Sequence, residues 1–435
     1  MRTLLAAAAD ESRLVFLDAG VLIITVLAVV VYAFFYPVPY LSQVMKDVPI
    51  AVVDEDHSGL SRRLVRMADE HQALRVGAAA ASVSESETLV RKGAVAGVLV
   101  IPRDFERQVL QGRQARLSGH IDASYLLTYN TVLGALLETS GTMSAGVEVA
   151  RLRAAGKSQD AAMRARRPVA LDLQPLFNAT SGYATYVVPA VLVLILQQTL
   201  LIGVGMAGGA RRERAAKNPA GAERPGHPVL KVAGRAVPYL LLYAVNAAYY
   251  FEFVPRYYGY YVPGSLGPVA LLTVPFLLAT IFLGFAVRAC FTRRETAMQV
   301  VLFTSLPLVF LSGFAWPIET LPSWIHRAAS FVPSTAAIPA YLRLTRMGAG
   351  LADVAHETAV LWALVAMYFP AACLAEALPA WRSAGSGRRP EDAVPHDAGD
   401  LADGLVGALP VVVRHAEDEL HREVLQERPE REHDG

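Results

Sequence analysis

The sequence predicts a membrane α-helical fold of six transmembrane helices, with a large extracytoplasmic α/β domain inserted between helices 1 and 2. Three observations carry that prediction. Hydrophobic residues make up 54% of the chain and charged residues 18%, against about 25% charged in soluble domains. Residues 187–208 contain no charge and exceed the roughly 20 residues that a helix needs to cross a bilayer. Residues 41–182 change character and alternate short β-branched runs with helical stretches.

Residues 1–13 read as a short cytoplasmic N-terminus with Arg2 and Arg13. The first span is 14–36, LVFLDAGVLIITVLAVVVYAFFY. A charged start before an apolar run also fits a cleaved signal peptide, but this run is long and no small-x-small site follows it. Tyr36, Pro37 and Tyr40 read instead as an interfacial boundary, so the helix stays and runs from the cytoplasm outward. Asp18 lies near its inner end, where a charge either snorkels to the interface or pairs with a neighbour.

The inserted domain is 37–182. Residues 48–53 (VPIAVV) predict a strand ending at Asp54, and Ser58 predicts the cap of a helix through about His71. A strand at 74–76, a helix at 84–92 and a buried strand at 94–101 follow. Pro102 then sits where a helix favours proline, at its first position. A strand at 116–122, a long helix at 126–155 and a last strand at 170–173 complete a largely parallel α/β domain. Asp54, Glu55, Asp56 and His57 stand in a row, but consecutive residues rarely converge on one ion, so they read as a solvated turn. Gly156-Lys157-Ser158 resembles the end of a phosphate loop. The motif needs a glycine at position 151, which is Arg151, and no strand precedes it, so it is rejected.

The second span is 183–208, with Gln197 and Gln198 near its middle; such amides either bond to neighbouring helices or line a pathway. The loop at 209–235 holds Arg211, Arg212, Arg214, Lys217, Arg224, Lys231 and Arg235 against Glu213 and Glu223, an excess that predicts a cytoplasmic location. The second span therefore runs inward, which puts the inserted domain outside. Residues 236–382 hold spans three to six, at 237–253, 269–287, 298–314 and 358–378. The tract YYFEFVPRYYGYY at 249–261 sets Glu252 and Arg256 four apart, either as an interfacial ion pair or in a vestibule that faces a substrate. Residues 317–355 are cut by Pro317, Pro322, Pro333 and Pro339 into short amphipathic helices at the outer surface. Residues 383–435 form a cytoplasmic, flexible tail rich in Gly, Pro and mixed charge.

Several chemistries are excluded. There is no Gly-x-Ser-x-Gly elbow, no His-Glu-x-x-His and no complete phosphate loop. No metal site is expected, and the two cysteines, Cys290 and Cys373, lie in apolar segments away from the inserted domain. No basic domain of the nucleic-acid-binding kind is present. Work across the membrane would draw its energy from another chain or an ion gradient, and sparse charge in mid-membrane disfavours the gradient.

The layout, together with residues 48–59 (VPIAVVDEDHSG), 122–129 (DASYLLTY), 176–198 (LFNATSGYATYVVPAVLVLILQQ), 293–299 (RRETAMQ) and 312–346 (SGFAWPIETLPSWIHRAASFVPSTAAIPAYLRLTR), resembles the permeases of ABC-2 type transporters, in particular the bacterial multidrug-export subgroup. The chain departs from the subgroup at Ala179, where proline is frequent, and in its long tail. The resemblance implies a non-enzymatic transport subunit in the inner membrane, multi-pass, with both termini cytoplasmic. The resemblance further implies that such a subunit exports hydrophobic or amphiphilic compounds, and that a separate ABC ATPase carries ATP and Mg, with no cofactor on this chain. The resemblance also implies a second permease copy or a sister permease, and a periplasmic adaptor. It makes 208–216 the coupling segment, with Arg211, Arg212, Glu213 and Arg214 on the ATPase; Gln197, Gln198 and Glu252, as polar groups in or beside spans, are the expected pathway or helix-seam residues. Two other readings stay open: a membrane-anchored extracytoplasmic receptor or scaffold, and an ion-coupled secondary carrier.

Overall fold

The computed structural model describes residues 2–42, 44–166, 176–178, 182–217, 226–260, 264–288, 294–314, 316 and 320–385. It divides into two compact units, residues 37–186 and the remainder. The expected strand at 170–173 and nearly all of the tail from 383 lie outside the described residues.

The first apolar run is not one helix. Helix α1 (Arg2–Leu17) already occupies the N-terminal segment expected to be a short lead-in. Asp18 then breaks the path: its backbone is extended, and its side chain accepts from the Val21 N–H at 3.4 Å. A carboxylate is favoured at a helix start because it meets the orphan N–H groups and the positive end of the helix dipole. The chain continues as α2 (Ala19–Leu22), a π turn (Ile23–Leu27) and α3 (Ala28–Phe35).

The 37–186 unit is built on β1 (Val48–Asp54), α4 (Gly59–Asp69), β2 (Leu74–Ala79), α5 (Val83–Arg91), β3 (Gly97–Ile101), α6 (Phe105–Leu110), β4 (Ser118–Ile121), α7 (Leu126–Ala154) and α8 (Gln159–Arg166). The strand order is β2-β1-β3-β4, with β1 parallel to β2 and β3 and β4 antiparallel to β3. Alternation along β1 sets the layers. Val48, Ile50 and Val52 face a core with Leu64 of α4, Phe105 of α6 and Val132, Leu136 and Met143 of α7. Ala51 and Val53 face the opposite core, against which Leu89 and Val90 of α5 pack. Ser58 caps α4 as expected, in a reciprocal box with Ser61. Pro102 does not open α6. That helix begins at Phe105, because Asp104 takes a left-handed turn first (φ 61°).

The other unit continues with α9 (Tyr183–Lys217), whose first residues belong to the 37–186 unit, then α10 (Pro228–Ala248), a second π turn (Tyr249–Phe253) and α11 (Val254–Tyr257). Helices α12 (Leu266–Val287), α13 (Arg294–Leu311), α14 (Ser323–Ala329), α15 (Pro333–Arg346) and α16 (Ala355–Gly385) follow. The start of the expected 209–235 loop is helical, since α9 runs on unbroken through Ala, Arg, Glu and Lys, all good helix formers. Among the described residues, five helices are long and apolar enough to cross a membrane: Ala19–Tyr40, Tyr183–Ala215, Pro228–Tyr257, Leu266–Val287 and Leu351–Ala377. The expected span at 298–314 is not among them. Its helix, α13, carries Arg294 and Glu295 in the first turn, which leaves an apolar run short of about 20 residues.

Polar side chains join the first and third of these helices. Asn246 donates to the Thr25 carbonyl at 2.9 Å, Tyr250 to Val29 at 2.8 Å and Tyr258 to Phe34 at 3.2 Å. Thr25 lies in the π turn, where i→i+5 pairing disturbs the regular ladder and exposes carbonyls to such partners.

Candidate functional site

Helix α9 is the axis of the site, and glycine decides what reaches it. A Cβ at Gly209 would stand 2.6 Å from the Arg294 backbone nitrogen, and one at Gly205 would stand 2.8 Å from the Ala297 Cβ. These two glycines, four residues apart, let α13 start directly against α9, as small residues do at helix seams in lipid. Gly208 likewise receives the aliphatic part of Arg288, 3.2 Å from where its Cβ would be.

That closeness draws charges together at the basic end of α9. Glu11, fully buried, accepts from Arg211 and from the Tyr239 hydroxyl at 2.9 Å, with the Arg235 Nε 3.7 Å away. Arg235 pairs with Glu376 at 2.6 Å, and Arg288 reaches the same carboxylate at 3.1 Å. Two carboxylates and three guanidiniums thus tie α1, α9, α10, α16 and the end of α12 into one cluster. Burial alone would raise the Glu11 carboxyl, but the charges of Arg211, Arg288 and Arg235 hold it below its ordinary value. A second cluster adjoins it. Asp18 pairs with Arg214 at 3.4 Å and with Arg294 at 3.5 Å. Arg294 also forks onto Glu213, at 2.6 Å for the shortest contact.

All four residues expected to face a partner are therefore engaged within the chain. Arg211 holds Glu11, Arg212 donates to the Arg288 carbonyl at 3.3 Å, Glu213 holds Arg294, and Arg214 holds Asp18. The Arg214 side chain is the most open of those in ion pairs, 53% exposed against 20% for Arg211. Sequence reasoning did not single out Glu11 or Glu376, and it read Arg235 and Arg288 only as charges marking the cytoplasmic side. The run GVGMAGGA at 203–210 is the local signal that another helix packs close here.

The second part of the site is the middle of α9. The Gln197 Oε1 accepts from the Ser334 N–H at 2.8 Å, near the start of α15. Gln198 is buried, and its amide has no hydrogen-bond partner among the described residues. An apolar cavity of about 210 Å³ adjoins Gln197, with Leu201 and Gly205 of α9, Gly284 of α12, Thr304 of α13 and Val332 also lining it. Glu252 is not part of this group and pairs with Arg256 one turn further along its own helix.

In the 37–186 unit the acidic run after β1 sits where strand order reverses between β1 and β3, the crevice in which α/β sheets take ligands. Here the chain fills it. Asp54 accepts from the Asp56 and His57 N–H groups, each at 3.0 Å, and from Ser61 at 2.7 Å. Asp56 accepts from the Glu106 N–H at 3.1 Å, at the start of α6. Gly156, Lys157 and Ser158 form the turn between α7 and α8.

Long apolar helices, a glycine-faced axial helix and charges paired at one end define a multi-pass membrane protein. Residues 19–374 match the family of ABC-2 family transporter proteins, so the chain belongs to that family and is a transport permease rather than a catalytic chain. It is 23% identical over 344 residues to the Linearmycin resistance permease protein LnrN of Bacillus subtilis, which covers 74% of this chain and 86% of that protein. It is also 31% identical over 96 residues to the ABC transporter G family member 20 of Dictyostelium discoideum. That match covers 22% of this chain and 13% of the relative.

Proposed function

We propose that this chain is the membrane subunit of an ATP-driven exporter, powered by an ABC ATPase on a separate chain that holds the ATP and Mg. The observation that carries this reading is α9 itself. One unbroken helix joins buried glutamines and a cavity at its middle to a paired charge cluster at its end, so force applied at the end moves the middle. Residues 209–235 are the coupling segment. Arg212, Arg214 and Lys217 are exposed and are the side chains that meet the ATPase, while the half-buried Arg211 and Glu213 pass the push to α1 and α13.

In this reading α13 completes six spans by packing against the glycine face of α9, and the 37–186 unit stands outside the cell. Both termini, with the tail from 383, are cytoplasmic, and the membrane is the inner one. Two copies, or this chain and a sister permease, pair in the bilayer, and the outer unit meets a periplasmic adaptor. The Bacillus relative's name ties that protein to linearmycin resistance, which supports a hydrophobic or amphiphilic cargo here. The self-filled crevice between β1 and β3 weighs against the receptor reading. The test is ATP-dependent uptake of amphiphiles into inverted vesicles that hold this chain with and without a partner ABC ATPase. Uptake that ignores the ATPase would overturn the proposal.

A further inference from the structure

Three helices run parallel into the charge cluster, and two of them continue past it on the same side. Gly284 of α12 lies against Val204 of α9, and Arg288 lies against Gly208, so the two helices keep one offset and one direction. Phe282 of α12 meets Phe369 of α16 with ring centroids 4.9 Å apart, and Arg288 meets Glu376, so α16 shares that direction. Past the cluster α9 continues from Arg211 to Lys217 and α16 from Glu376 to Gly385, rises of about 9 and about 14 Å. Both flank α12, so at helix spacings of about 8–10 Å their ends stand roughly 20 Å apart.

The two ends carry opposite charge. Arg212, Arg214 and Lys217 are exposed at the end of α9. Glu213, the acid among them, is taken by Arg294, and Arg214 shares Asp18 with Arg294. On the other side, past Arg388 and Arg389, residues 390–413 hold Glu391, Asp392, Asp397, Asp400 and Asp403 and neither lysine nor arginine. An extended chain spans about 3.3–3.6 Å per residue, so these acids can reach from about 20 to about 60 Å beyond Gly385. The exposed end of α9 lies within that range.

We propose that residues 390–413 dock through these acids on Arg212, Arg214 and Lys217. A tether this short holds the acids at an effective concentration on the order of millimolar, so that several weak surface ion pairs act together. Docked there, the segment covers the surface assigned above to the ATPase, which must displace it to bind. That masking rests on the exporter reading; the docking does not.

The test uses the purified full chain in zwitterionic nanodiscs, with Cys290 and Cys373 replaced and cysteines placed at Ala215 and Ala398. A short bismaleimide joins the two within one chain. Changing the five acids to Gln and Asn, which alters no residue of the helices, lowers the yield at least about fivefold, the scale of a few exposed ion pairs. Salt near 1 M, where the Debye length is about 3 Å, does the same. Changing Arg212, Arg214 and Lys217 to Glu also lowers it, and five lysines in place of the acids restore it. A yield that neither neutralisation nor salt lowers leaves the basic end to lipid phosphates or to the ATPase alone, and overturns the inference. A partner ABC ATPase binds the neutralised chain at least about threefold more tightly than the parent. Equal affinity, with the cross-link still dependent on charge, overturns the coupling surface of the exporter reading and leaves the docking standing.

Discussion

Arg235 and Glu376 meet at 2.6 Å although 141 positions separate them, and both are largely buried. Removing one partner strands the other charge, which in buried pairs costs about 3–5 kcal/mol. Arg235→Leu should therefore lower the melting temperature in detergent sharply. The double change Arg235→Met with Glu376→Leu should recover most of the loss, because it removes both charges. A double variant as unstable as the single one would mean that the pair does not act as a unit.

The basic end of α9 should divide by exposure. Arg214→Glu, at an open position and with Arg294 still paired to Asp18, should keep insertion at only a modest cost in melting temperature while abolishing ATPase stimulation and transport. Arg211→Glu, facing Glu11, should fail at the level of stability, since two carboxylates would then meet in a buried site. Normal transport by a stable Arg214→Glu variant would remove that residue from coupling.

Acid should loosen the α1 cluster. A carboxyl held low by nearby arginines adds stability above its unfolded value, about 4.3, and loses that contribution as pH falls through the folded value. Wild type should melt higher than Glu11→Gln near pH 7, with the gap closing below about pH 4. A gap that persists unchanged to about pH 3 would place the effect elsewhere.

Close packing at α9 can be tested by bulk. Gly209→Leu drives a side chain into the Arg294 backbone, and overpacking of this kind costs about 1–3 kcal/mol. A disulfide engineered between α9 and α13 near this point should form readily in the parent and poorly in the variant. Equal yields would show that the two helices do not meet here.

The 37–186 unit should be reachable from outside. With Cys290 and Cys373 replaced, a single cysteine at Ser84 should react with a membrane-impermeant maleimide in spheroplasts, and one at Lys217 should react only after lysis. Labelling in the opposite pattern would invert the proposed topology.

What could be read from the sequence follows the range of the interactions. Ser58 announces α4 through a bond three residues long, and the VPIAVV and GVLVI runs announce β1 and β3, because those signals are local. Asp18 was legible as a charge needing a partner, but not as a helix break, since apolar residues flank it on both sides. Glu11 carried no signal at all. Its partners Arg211, Arg235 and Tyr239 lie beyond any periodicity, and a glutamate between Asp10 and Ser12 looks like an exposed position. The positive run at 211–214 read as the start of a loop because its charge ends the apolar span, yet the helix runs on through it, and its sign could not say that carboxylates of the same chain would take up those charges.

Glu11 also sets an order of events during synthesis. It leaves the ribosome 200 residues ahead of Arg211, a wait of about 10–40 s at about 5–20 residues per second. Until then its carboxylate has none of its final arginine partners and must stay hydrated at the bilayer surface, so α1 docks late. A nascent or truncated chain that ends before α9 keeps that helix loose, and so offers quality-control proteases an accessible N-terminal end.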